Sequence, residues 1–477
     1  MINKRLHFIL TVLLGLSTLM VACKKEESAP APSKGNADFT KYVAVGNSLT
    51  AGFADNGLYR EGQLNSYPAL LAQQFKLVGG GDFIQPLFSE AQANGTGYLV
   101  LTGLPTPQSP TPRTAIIPPQ AIRGLNSMNS PLFTKFTGPN QNLGVPGIRM
   151  ENVQQPGYGS QLGNPYFERL LPDDQPLKTY LQYVAENIQG ATFFSCWIGN
   201  NDALGYATSG GLVPMTSDAT FEANCKALLN VLANPDAEGK ARRQGIVVSI
   251  PSVTSAAFFN TVSVNTILSQ VNAALRAQNP CAAPVRQLFI QTASGVRASS
   301  PNALPLAPNP ACNLLGFPAT ADTGDLYFLG SLAEYARIGS TTYGAGQPFP
   351  YGLDPNNPLT TQHVLDRAEV AAVNSQIVRY NTILRREAER MGLAFYDVNE
   401  TLNLIRNNQA NGYRVNGVPF RLDFVSGGVF SLDGIHLTQA ANAVIANEII
   451  ERINKHYGST IPKLDVSRFK RVTLVNP

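Results

Sequence analysis

Short, wholly apolar runs alternate with amphipathic stretches along most of the chain. YVAVG (42–46), ATFFSCWIG (191–199), GIVVSIP (245–251) and GLAFYDV (392–398) carry apolar residues on both faces of an extended backbone. A half-exposed strand would place a polar residue at every second position. These runs therefore read as strands buried on two sides, as in a parallel sheet covered by helices. Helical patterns lie between them. In RAEVAAVNSQIVRYNTILRREAERMG, residues Val370, Val373, Ile377, Tyr380, Leu384 and Met391 fall near one face, and Gly392 is placed to end the helix. In TQAANAVIANEIIERIN (438–454), Thr438 is a candidate N-cap and Ala441, Ile445, Ile449 and Ile453 form the apolar stripe. Strands alternating with helices predict an α/β fold, a three-layer α/β/α arrangement around a central parallel sheet.

Two stretches break this rhythm. Residues 85–141 include six prolines between 101 and 120, and residues 280–360 are rich in Pro, Gly and Asn. Both read as long loop insertions at the functional edge of the sheet. No repeat of 20–50 residues is visible, which excludes a solenoid.

The first forty residues read as an address. Lys4 and Arg5 precede LHFILTVLLGLSTLMVAC, a basic region and an apolar region of signal-peptide length, too short and too early for a spanning helix. The run ends in Met20-Val21-Ala22-Cys23, which resembles a bacterial lipobox. That resemblance implies that residues 1–22 are removed and that Cys23 carries the lipid, anchoring an outer-membrane lipoprotein. The polar, proline-containing stretch to residue 38 reads as a tether. The charged residues after Cys23 look like the export signal of surface lipoproteins. The main domain is expected over 39–460, with 461–477 as a tail whose basic run SRFKRV reads as a solvated terminus.

Charge and cysteine content narrow the picture. The chain has 36 basic and 32 acidic residues, and two of the basic ones fall in the leader. This balance excludes a nucleic-acid partner. Beyond Cys23 there are Cys196, Cys225, Cys281 and Cys312. An extracytoplasmic compartment permits disulfides. Cys281 and Cys312 flank a Pro/Asn/Ala-rich loop and are the candidate pair, whereas Cys196 lies in an apolar run and reads as a buried thiol.

Four short blocks carry candidate chemistry: Gly46-Asn47-Ser48-Leu49, Asn142-Leu143-Gly144-Val145-Pro146-Gly147, Gly199-Asn200-Asn201-Asp202 and Asp433-Gly434-Ile435-His436. Each lies beyond a strand-like run or before a helix. Parallel α/β sheets bind ligands at the carboxyl ends of their strands, so the blocks are expected to converge. Ser48 is the candidate nucleophile and needs a base to take its proton. His436 is the candidate base. Asp433, three residues earlier, is placed to hold the second ring nitrogen, following serine–histidine–aspartate logic. The Ser48 and Gly147 backbone N–H groups and the Asn201 side-chain amide are candidate oxyanion donors.

Together these blocks resemble the SGNH (GDSL-type) hydrolase family, whose serine, glycine, asparagine and histidine come from four blocks in this order. The resemblance covers roughly 38–80, 140–260 and 365–456 and implies a flavodoxin-like α/β/α fold. It implies Ser48, Gly147, Asn201 and Asp433/His436 as site residues. The family's Gly-x-Asn-Asp selects Asn201 over Asn200, and its Asp-x-x-His matches Asp433 to His436. Its usual Gly-Asp-Ser-Leu is Gly-Asn-Ser-Leu here, with Asn47 in place of an aspartate that is not the triad acid. Gly144 stands beside Gly147 as an alternative donor. The chain contains no Gly-x-Ser-x-Gly, no His-Glu-x-x-His, no zinc-spaced cysteine pairs and no phosphate-binding glycine loop. No metal or cofactor is expected.

The expected activity is hydrolysis of a carboxylic ester, on an acyl lipid or an acylated glycan. The alternative is a non-catalytic surface module that binds a glycan or another partner on an esterase-like fold. His363 reads as a surface or capping residue. Trp197 reads as core, with a substrate platform as its alternative.

Overall fold

The computed structural model describes residues 31–104, 112–234, 241–300, 312 and 324–474. The leader, Cys23 and the first part of the tether lie outside the described residues.

Five strands form the central sheet: β1 (Tyr42–Gly46), β2 (Asn142–Gly144), β3 (Phe193–Trp197), β4 (Gln244–Val248) and β5 (Ala394–Tyr396). They run in the order β5-β4-β3-β1-β2, and every neighbouring pair is parallel. This is the flavodoxin-like 2-1-3-4-5 order, whose ligand crevice opens where β1 and β3 diverge. Every residue of β1 and β3 is buried. Successive strand residues point to opposite faces, so both faces of the sheet are covered. Four strands are the apolar runs of the sequence. The fifth, β2, has three residues, and one is an asparagine. Asn142 is buried there because its amide donates to Thr50 O (2.9 Å) and its Oδ1 accepts from Gly144 N (3.1 Å).

Among the helices are α1 (Ser48–Ala51), α2 (Tyr67–Lys76), α3 (Tyr180–Asn187), α4 (Asn200–Thr208), α5 (Asp218–Ala233), α6 (Arg367–Arg390), α7 (Val398–Asn407) and α8 (Gln439–Tyr457). One group pairs α2 with α8; the other packs α3 on α5 and α6 on α4 and α5. Asp366 starts α6 with a capping box: it accepts from Ala368 N and Glu369 N, while Glu369 accepts from Asp366 N. Gly392, at φ +69°, takes the left-handed turn that follows. Thr438 caps α8 by accepting from Ala441 N at 3.1 Å. The helix runs past residue 454 to Tyr457, because Gly458 supplies its left-handed end.

The two insertions are more structured than loops. Within 85–141, Tyr98–Gly103 pairs with Arg113–Ile117 and Ile122–Leu125 pairs with Pro131–Phe133, both antiparallel. Within 280–360, Leu288–Thr292 pairs with Gly295–Ser299, and Tyr327, Tyr335, Tyr351 and Leu359 join Ile267 and Leu268 in a small core of their own. Cys281 and Cys312 form a disulfide with their Cα atoms 5.3 Å apart, and Cys196 and Cys225 are free and buried. The basic run SRFKRV is mostly exposed, while the residues just before it pack on the domain. Ile461, Leu464 and Val466 are buried, and Lys470 Nζ lies 2.7 Å from Glu61 Oε1. His363 is not a surface residue: its Nδ1 sits 2.9 Å from Ser331 Oγ and its side chain is mostly covered. No helix among the described residues is long and apolar enough to cross a membrane.

Candidate active site

The end of β1 and the start of α1 are welded together. A Cβ on Gly46 would lie 2.3 Å from Trp197 O and 2.2 Å from Thr50 Oγ1, so only glycine fits. Asn47 is the N-cap of α1, its Oδ1 accepting from Leu49 N at 3.1 Å. Asparagine caps as well as aspartate does, so the departure from Gly-Asp-Ser-Leu preserves the turn. Ser48 follows as the first helical residue. Its N–H belongs to the set of helix-start amides that have no intrahelical partner.

His436 reaches the serine from the other end of the chain. Its Nε2 is 2.8 Å from Ser48 Oγ, and its Nδ1 is 2.9 Å from Asp433 Oδ2. Asp433 is held rigidly. Oδ1 accepts from Ile435 N (2.8 Å), His436 N (2.8 Å) and Ser431 Oγ (3.2 Å), while Oδ2 accepts from Asn56 N (3.0 Å). Gly434, at φ +74°, makes the tight turn in which a Cβ would strike Phe258 N at 2.9 Å. Burial alone pushes the Asp433 carboxyl up. The His436 charge, its ring hydrogen bond and the His436 and Asn56 backbone amides together outweigh burial and hold the carboxyl well below the usual carboxylate range. The Phe53 ring lies 4.7 Å from the imidazole, centroid to centroid.

The donor side is assembled across β2 and β3. Gly199, at φ +108°, starts α4 with no room for a side chain, since a Cβ would meet Ile250 Cδ1 at 2.8 Å. Asn201 donates one amide proton to Ile148 O (2.9 Å), the residue after Gly147. One amide proton of Asn201 is left over. Ser48, Asn200, Asn201 and His436 line one cavity. Gly147 does not line it; it sits on the exposed turn after β2, at φ +83°, next to Asn201's acceptor. Its N–H has no hydrogen-bond partner among the described residues. Gly144 differs. Its N–H is taken by Asn142 Oδ1, and its missing Cβ makes room for the backbone of Ala51 at 2.4 Å. Its geometry is that of a packing glycine. Trp197 is core, 1% exposed and donating to Ser249 O at 3.0 Å, yet it also forms part of the cavity wall.

Two residues with structural work at this site carried no role in the sequence reading. Asp202 is fully buried and accepts from Met150 N (2.6 Å), Glu151 N (3.3 Å) and Thr216 Oγ1 (2.5 Å). It ties the start of α4 to the chain just after Gly147. Burial pushes its carboxyl up to about 6, against the lowering effect of these hydrogen bonds. Asp55 accepts from Leu432 N (2.9 Å) and Tyr59 Oη (2.7 Å). Its own N–H donates to Ser431 Oγ (3.0 Å), so it braces the turn that carries Asp433. Burial pushes the Asp55 carboxyl up, and the neighbouring Asp433 charge adds to this. Asp202 is the last residue of its block and Asp55 lies outside all four, and only the tertiary contacts reveal what they hold.

No protein-family model and no curated protein matches the chain. Among solved structures, an extracellular lipase from Streptomyces rimosus matches with 14% identity and a TM-score of 0.31, over 87% of this chain and 99% of the lipase. The fold assignment rests on the chain's own strand order rather than on that overlap. No cluster of metal-ligating side chains occurs among the described residues.

Proposed function

We propose that the protein is a serine carboxylic ester hydrolase of the SGNH type. The observation that carries this reading is the continuous hydrogen-bonded line Ser48–His436–Asp433, at the carboxyl edge of a parallel sheet and facing a cavity. Ser48 Oγ attacks the ester carbonyl while His436 Nε2 takes its proton. Asp433 holds Nδ1–H and stabilises the imidazolium. The Ser48 N–H and the spare Asn201 amide proton, both at the cavity, receive the oxyanion, with the unpartnered Gly147 N–H on the adjoining turn as the third candidate donor. His436 then protonates the leaving alcohol. A water molecule, deprotonated by the same nitrogen, releases the acid from the acyl-enzyme.

The Cys281–Cys312 disulfide supports an oxidising compartment. With the leader and lipobox of the sequence, it supports the reading of a lipid-anchored protein of the outer membrane, held at Cys23.

The test is hydrolysis of p-nitrophenyl acetate by the chain from Lys24 onward, beside Ser48→Ala. Turnover that the alanine variant loses by at least about a thousandfold establishes the nucleophile. A folded wild type that neither hydrolyses esters nor reacts with a fluorophosphonate at Ser48 overturns the reading and favours a binding module.

A further inference from the structure

The cavity beside Ser48 is larger and drier than proton transfer requires. Its volume is about 80 Å³, several times what one water molecule needs. No Asp, Glu, Lys or Arg lines it. Beyond Ser48, His436 and the asparagines, its wall is mainly aliphatic and aromatic. Val398, Leu402 and Ile405 come from α7, and Ala441, Val444 and Ile445 come from α8. Protein interiors are normally close-packed, and an unfilled apolar void forfeits contacts along its whole wall. A void that opens on a nucleophile is filled in the bound state.

The direction of the cavity follows from its helices. Val398 stands two residues after β5, at the carboxyl edge of the sheet, and α7 runs on from there. Ile405 lies seven residues further along the same helix, about 10 Å deeper at 1.5 Å per residue. On α8, Ala441 to Ile445 recede in the same way from His436. An acetyl group bound at Ser48 would leave this depth empty, and a sugar would meet almost no hydrogen-bonding partner in it.

We infer that this cavity is an acyl slot: it takes the unbranched alkyl chain of a medium- or long-chain carboxylic ester, with Ile405 marking its deep end. This deepens the proposed function and rests on it for the position of the scissile carbonyl. A glycan deacetylase built on the same triad would have no use for the slot. Each methylene that enters the slot strengthens binding about fourfold.

The test compares p-nitrophenyl acetate, octanoate and palmitate on wild type, Ile405→Trp and Ile405→Ala. Wild type is expected to show kcat/KM for octanoate at least about tenfold above acetate. Filling the deep end with tryptophan is expected to remove that preference, lowering the octanoate-to-acetate ratio of kcat/KM by at least about tenfold. Ile405→Ala, which opens the end, is expected to shift the preference toward palmitate and keeps the test valid should the tryptophan variant not fold. Octanoate binding to Ser48→Ala by calorimetry separates the two claims. Binding with a negative heat-capacity change, in a protein that hydrolyses no ester, keeps the slot and overturns the esterase. Ester hydrolysis that ignores chain length and both Ile405 variants overturns the slot and keeps the esterase.

Discussion

Asp433 and Asp55 are two buried carboxylates on facing turns, and their surroundings push them in opposite directions. Asp433 gathers five hydrogen bonds, one of them from the His436 ring, so it stays ionised despite burial. Asp55 has fewer donors and the Asp433 charge beside it, so burial wins. The ionised member therefore orients the imidazole. In Asp433→Asn the new amide turns either its N–H₂ to His436 Nδ1 and its oxygen to the Ile435 and His436 backbone amides, or its oxygen to Nδ1 and its N–H₂ against those two backbone N–H donors. The first option makes Nδ1 an acceptor and turns Nε2–H toward Ser48, which then has no base. We expect kcat for p-nitrophenyl butyrate to fall on the order of 10⁴-fold with KM nearly unchanged, as when a triad aspartate loses its charge. A loss below tenfold in steady-state kinetics would remove Asp433 from the orienting role.

At the scale of elements, the site depends on strand ends being tied to one another, and Asp202 is the clearest tie. Its carboxyl sits at about 6 in the folded protein, against 3.8 for an ordinary aspartate. The folded state thus binds this proton more tightly than the unfolded chain does. The contribution of Asp202 to stability is fully present below pH 3.8 and is lost as pH rises from there through about 6. Asp202→Asn cannot titrate. The stability of wild type relative to that variant should therefore fall by on the order of 2–3 kcal/mol between pH 4 and pH 7 in urea unfolding. A pH-independent difference would mean that the carboxyl titrates normally.

The same elements explain what was legible. β1, β3, β4 and β5 announced themselves because strands buried on both faces are apolar throughout, and α6 and α8 because their stripes and caps are regular. β2 was hidden: three residues, one of them an asparagine whose burial depends on a bond to Thr50 O. The Ser48, Asp433 and His436 positions could be read from turn residues placed after apolar runs. The bracing by Asp55 could not be, because its partners Ser431 and Leu432 lie at the far end of the chain and meet it only through the fold. The insertions were read as loops because their short hairpins and satellite core have no long periodic segment.

At the scale of the whole molecule, the N-terminal segment and the Ser48–His436–Asp433 line lie at opposite poles of the sheet. Ser33 O accepts from Thr460 N (2.8 Å), Asn36 N donates to Tyr457 O (2.9 Å), and Asn36 O accepts from Gln244 Nε2 (2.8 Å). Gln244 is the first residue of β4, so the chain enters at the amino edge, whereas Ser48 and Asn201 follow the carboxyl ends of β1 and β3. If Cys23 carries the anchor, eight Cα–Cα steps separate it from Ala31, whose carbonyl already accepts from Thr460 Oγ1. Eight residues reach at most about 28 Å. A body of this length has a radius of gyration of about 22 Å, so such a tether is too short to let the molecule turn the pole that carries Ser48 to the anchoring bilayer. The anchored enzyme would then act on esters arriving from the opposite side. With the protein attached to vesicles through a tag at Lys24, we expect p-nitrophenyl octanoate to be hydrolysed as fast as by free protein. We also expect ester lipids of the carrier vesicle to be cleaved no faster than those of added, unattached vesicles. Strong acceleration on the carrier vesicle's own lipids would show that the pole that carries Ser48 reaches its anchoring membrane, against the geometry of the N-terminal segment.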